Sequence, residues 1–172
     1  MKISNQITAD LQFSGSCVEK VVVQNSIINL AQDDPREFGV DIDVKEIGQN
    51  DDKTLIGTVE LSVITNVKSK QDKKRKSRFN IVIQGCFEST NINLPKEKFG
   101  AMLYVNGGSA LYSIARSFIC NLSANVYQNG KLLLPMINVI EVLKQKVAQQ
   151  KATNDEKSKP KSDDGSSDKP NN

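Results

Sequence analysis

Residues 108–143 read GSALYSIARSFICNLSANVYQNGKLLLPMINVIEVL, and the hydrophobic period of this stretch decides how the chain folds. Leu111, Ile114, Phe118, Leu122 and Val126 recur every three or four residues, and Ala115 and Ile119 widen the stripe. That spacing predicts a long amphipathic helix. Gly107 and Gly108 stand at its expected start, and Ser109 is a candidate N-cap. QNGKLLLP then breaks the period and reads as an irregular apolar loop. In NVIEVLKQKVAQQ the helical period returns. Asn138 and Glu141 have the spacing of an N-cap and its third helical residue, and Ile140, Leu143 and Val147 form the expected apolar side. A short helical turn is expected in KEKFGAMLY, upstream of the long helix.

Before about Asn93 the period is two. In FGVDIDVKEIG, Phe38, Val40, Ile42 and Val44 point one way, and Gly39, Asp41, Asp43 and Lys45 the other. CVEKVVVQNSII is rich in β-branched residues, and TLIGTVELSVITNVK and RFNIVIQGCFEST repeat the alternation. Gly85 near the end of the last run suggests a bulge. The links QNDD and SKQDKKRKS are too short for parallel crossovers, so antiparallel neighbours are expected. Four strands followed by a long and a shorter helix make an α+β domain over residues 1–150. Residues 151–172, KATNDEKSKPKSDDGSSDKPNN, hold no apolar side chain larger than Ala and Pro and read as a disordered polar tail.

The totals restrict chemistry more than partners. The chain has 172 residues and a formal net charge of +3, too small to name a partner class. Histidine is absent, which removes Ser-His and Cys-His catalysis and most zinc catalysis. No GxxxxGK loop is present, so no nucleotide is expected, and no metal or other cofactor is assigned. Cys17, Cys86 and Cys120 form no CxxC and read as buried free thiols. Asp41 and Asp43 read as solvated charges, and no residue is assigned as catalytic. The amino terminus MKISNQITAD has no apolar signal core, and no apolar run approaches the ~18 residues of a membrane helix, so a cytoplasmic location is expected.

The segment IARSFICNLSANVYQNGKLLLPMINVIEVL resembles the C-terminal half of the bacterial export chaperone SecB. The shared features are a helix with a central Ala-Arg pair (Ala115, Arg116), a leucine-rich loop, and a Pro-x-x-Asn start of the last helix (Pro135, Asn138). RFNIVIQGCFEST is similar to that family's fourth strand, with its Gly-x-Phe on Gly85 and Phe87. The resemblance covers roughly residues 11 to 147. It implies a four-stranded antiparallel sheet with both helices on one side, a dimer joined through sheet edges, and a tetramer built as a dimer of dimers. The implied function is ATP-independent binding of unfolded polypeptides, for protein export or for one dedicated partner such as an antitoxin. A non-chaperone interaction scaffold is the competing reading.

A client groove is expected where the loop Leu132, Leu133, Leu134, Met136 faces Phe38, Val40, Ile42, Leu103, Tyr104 and Tyr127, although the same loop residues have the alternative of folding over the sheet. Tyr112, Ala115, Ile119 and Cys120 extend the helix's apolar surface and are the expected oligomer interface, against the alternative of a wide contact within one monomer. Two features depart from the family. Its acidic patch for the translocation ATPase falls on Val21, Asn25 and Asn80, so that docking site is not evident. Second, the segment from Lys68 to Arg78, KSKQDKKRKSR, is strongly basic. It reads either as an electrostatic contact for acidic clients, nucleic acid or a membrane surface, or as a solvated hairpin tip. No aromatic residue interrupts it, so nucleic acid is not the expected partner.

Overall fold

The strand runs pair as their alternation predicts. The computed structural model describes residues 9–157, with side chains to residue 149. Strands β1 (Leu11–Asn25), β2 (Arg36–Gln49), β3 (Leu55–Lys68) and β4 (Lys76–Ser89) form one antiparallel sheet in the order β1-β4-β3-β2. The strands are followed by α1 (Lys96–Met102), α2 (Gly108–Val126) and α3 (Val139–Lys157). On β3, Val59, Leu61, Val63 and Val67 are buried; on β4, Phe79, Ile81, Ile83 and Phe87 are. These two central strands carry the core because α2 packs across them. The half-covered edges β1 and β2 leave Phe13, Val18, Val21, Val22 and Phe38 exposed.

The sheet order separates β1 from β2. Residues 26–35 carry the chain from one edge to the other, with Ile27 and Leu30 buried beneath. The buried Asp34 fixes this link: its carboxylate accepts hydrogen bonds from the amides of Ala31 and Lys70, both at 2.8 Å. A carboxylate held by backbone N–H groups satisfies donors that a buried link would otherwise strand.

Gly85 is not at a bulge. The register shifts lie at Phe13/Gly15 and Val18/Lys20 in β1 and at Val44/Glu46 in β2, while Gly85 pairs regularly with Ser16 and Val59. Its missing side chain instead makes room for Leu111, which would stand 2.6 Å from a Cβ at that position. Gly107 and Gly108 likewise let the helix sit on Val59 and Ile42 rather than starting it. The helix is continuous through a π-helical turn, Leu103–Gly107, that joins α1 to α2. Ser109 therefore caps nothing; its hydroxyl donates back to the Val105 carbonyl at 2.6 Å.

Helix α3 begins as expected: the amides of Ile140 and Glu141 donate to Asn138 Oδ1 at 3.1 and 3.4 Å. Its inward residues are Val139, Val142 and Leu143, whereas Ile140 and Val147 face outward. It continues past the expected boundary at residue 150 to Lys157. Once a helix is nucleated, extension through residues such as Lys and Ala costs little. The rest of the expected tail lies outside the described residues. The three thiols are free but not buried: Cys17 is exposed on the edge strand, and Cys86 and Cys120 are partly accessible.

Candidate functional site

The leucine-rich loop has a strand-like alternation. Leu132 and Leu134 are buried, Leu133 is 55% exposed and Met136 79% exposed. Its backbone is held along α2 by polar side chains. The Leu132 amide donates to the buried Ser123 hydroxyl at 2.8 Å. Arg116 Nε donates to the Leu134 carbonyl at 3.1 Å, and the Tyr112 hydroxyl to the Pro135 carbonyl at 2.7 Å. Each bond satisfies a loop group that no sheet or helix ladder provides for. An apolar loop with a tethered backbone thus presents two large apolar side chains to solvent at fixed positions.

The expected groove residues separate into two sets. Ile42, Leu103, Leu132 and Leu134 are core residues, and Tyr104 and Tyr127 are nearly so. Tyr127 is a pin between layers: its ring meets Phe79 with centroids 6.1 Å apart, and its hydroxyl donates to Ser77 Oγ at 2.8 Å. Phe38, Leu133 and Met136 are exposed, and Val40 is partly covered. Two exposed members of the α3 face, Ile140 and Val147, escape the sequence because they share the helix's expected apolar side with the partly buried Leu143.

The expected oligomer interface needs the same correction. Tyr112, Ala115 and Ile119 are buried in the monomer core, and of the four only Cys120 retains surface. Ile114, Phe118 and Leu122, expected to be core, are the partly covered row. At 3.6 residues per turn they lie on the flank of α2 away from Tyr112 and Arg116, which face the loop. The stripe was read about one residue out of phase because α2 is apolar around more than half its circumference.

Helix α3 is tied to edge strand β2 by one lysine. Lys146 Nζ bonds the Asp41 carboxylate at 2.7 Å, the Ile42 carbonyl at 2.9 Å, and the Asp43 carboxylate. Asp41 and Asp43 are thus ion-paired rather than merely solvated. Burial pulls the Lys146 pKa down, but the bonds to the two carboxylates outweigh it and hold it above 10.5. A raised lysine pKa adds stability that is complete below the ordinary value and disappears as pH rises through the folded one. Lys146→Met is therefore expected to lower the melting temperature at pH 8, with the gap to the parent closing above pH 10.5. A gap unchanged at high pH would mean that the ammonium is not what ties α3 down.

No protein-family model matches the chain, and no curated protein matches it in sequence. Solved structures match it in fold. The Mycobacterium tuberculosis SecB-like chaperone Rv1957, determined in complex with a ChAD peptide from the Rv1956 HigA1 antitoxin, superposes with a TM-score of 0.54. The match covers 74% of this chain and 91% of that one, at 11% sequence identity. The chain has a SecB-like fold. At that identity the likeness concerns the fold, and the exposed surfaces are this chain's own. Of Val21, Asn25 and Asn80, Val21 pairs with Ile81 on the helix face, Asn25 bonds Ile27, and only Asn80 lies on the outer face of this SecB-like sheet.

Proposed function

We propose that this chain is an ATP-independent chaperone, a holdase that binds non-native polypeptides and performs no catalysis. The observation that carries the reading is the pair Leu133 and Met136, exposed on a loop whose backbone is pinned to α2. Phe38, Ile140 and Val147 extend the exposed apolar set. Methionine is unbranched and adapts to many side chains, as a promiscuous surface requires, and leucine adds apolar area beside it. Each client side chain buried there contributes roughly 1.5–3 kcal/mol before the cost of ordering the client. The buried members of the expected groove join such a site only if α3 and the loop move away from the core.

A dedicated client is the favoured refinement, because the structurally similar Rv1957 was captured with an antitoxin peptide. Export remains the alternative, with the translocation ATPase as partner. Self-association is proposed through the β1 edge, whose Val18, Val21 and Val22 are exposed, and through Ile114, Phe118 and Leu122 of α2. This gives the dimer of dimers of the SecB pattern. A cytoplasmic setting fits; no helix among the described residues is long and apolar enough to cross a membrane.

The test is suppression of aggregation of several chemically unfolded clients, without nucleotide, at near-stoichiometric ratio. Suppression that falls several-fold in Leu133→Ser/Met136→Ser, at unchanged melting temperature, supports the holdase. No suppression with any client rejects general chaperoning and leaves a binder dedicated to one partner.

A further inference from the structure

The basic segment is not a loose tip. Its ends belong to β3 and β4, and only residues 69–75 turn, closed by the Ser69 amide on the Arg75 carbonyl at 3.0 Å. Strand parity places Lys68, Lys76 and Arg78 together on the face of the sheet opposite the helices, since their neighbours Val67, Ser77 and Phe79 are buried beneath α2 and its loop. Lys68 and Lys76 are direct cross-strand partners. The next row across all four strands is Gln24, Arg78, Asn66 and Glu37. These residues line a cavity of about 550 Å³ on the outer face.

Like charges directly opposite one another destabilise a sheet. Among the described residues only Glu37 answers them, 3.6 Å from Lys68. Among the described residues Lys76 and Arg78 have no carboxylate partner, and Lys73 and Lys74 stand nearby in the turn, also without one. The cavity thus combines an uncompensated positive charge with the amide groups of Gln24 and Asn66.

We propose that this outer-face cavity docks an acidic segment of a partner polypeptide, a run of Asp and Glu side chains, separately from the apolar loop on the opposite face. Carboxylates suit the site: Arg78 offers a planar fork for bidentate bonding and the two lysines offer point charges. Nucleic acid suits it less. No aromatic side chain lines the cavity for base stacking.

The experiment is fluorescence anisotropy with a labelled octaglutamate peptide, using the full chain, at low and moderate salt. Binding is expected to weaken with salt and to drop at least ten-fold in Lys76→Glu/Arg78→Glu. The control Lys96→Glu/Lys98→Glu makes the same change of net charge on exposed positions of α1 and is expected to stay within about two-fold of the parent. If the first variant fails to fold by circular dichroism, Lys76→Gln/Arg78→Gln replaces it with the same expected direction. Equal loss in both pairs of variants, or tighter binding of octathymidylate than of the peptide, overturns the proposal. Aggregation suppression by the parent is scored separately, so failure here leaves the holdase reading standing.

Discussion

Gly85→Val is expected to destabilise the fold by about 3 kcal/mol, at the upper end of what overpacking usually costs. The physical cause is a single approach. Leu111 descends from α2 onto β4, so that a Cβ on Gly85 would lie 2.6 Å from Leu111 Cδ2 and 3.1 Å from Phe87 Cε2. Neither neighbour has free space, since Leu111 and Phe87 both belong to the buried core. The helix must rise or the leucine must leave its rotamer. For a domain of this size the melting temperature should fall by roughly 6–12 °C. Gly39→Ala is the matched control. A Cβ there meets nothing closer than 4.0 Å, and removing a glycine from an unstrained strand position stabilises by about 0.4–1 kcal/mol. Opposite signs for the two substitutions in urea unfolding would establish the close approach. A cost at Gly85 below about 0.5 kcal/mol would show that α2 sits further from the sheet.

The second large effect separates adjacent leucines. Leu132→Ala is expected to cost about 2–5 kcal/mol, as deletion of a fully buried leucine does. Leu133→Ala, one residue on, should cost less than about 0.5 kcal/mol because its side chain already lies mostly in water. The contrast is unusual for a run of identical residues. It follows from the bonds that Ser123 and Arg116 make with the loop backbone, which fix which side chains turn inward. Equal costs at the two positions would mean that the loop slides in register along α2. In aggregation suppression the order should reverse, with Leu133 the more damaging site among folded variants.

The strands were legible because alternation is a strong signal when one face of a sheet is covered. Residues such as Phe79, Ile81 and Ile83 could point only one way. The cap at Asn138 was legible for a local reason, the reach of one side chain to the next turn. The phase of α2 was not, because a helix with Leu111, Tyr112, Ile114, Ala115, Phe118 and Ile119 offers two apolar stripes. Only the position of the loop selects between them. What selects it is polar: Tyr112, Arg116 and Ser123 bond the loop backbone. A serine and an arginine on an otherwise apolar helix face were the available clue. The tie between Lys146 and Asp41 and Asp43 joins residues about a hundred positions apart, which no local pattern encodes.

The link over residues 26–35 also apportions the work of folding. β2, β3 and β4 form a meander closed by two short turns, so their contacts are close in sequence. β1 is different. Its partners run from Asn25 with Ser77 to Leu11 with Ser89, with β2 and β3 lying between them in sequence. The entropy of closing that large ring is therefore concentrated in one event, the arrival of β1 at β4, and is recovered only when their long ladder zips. Until then β4, the eventual centre of the sheet, has an open edge of its own.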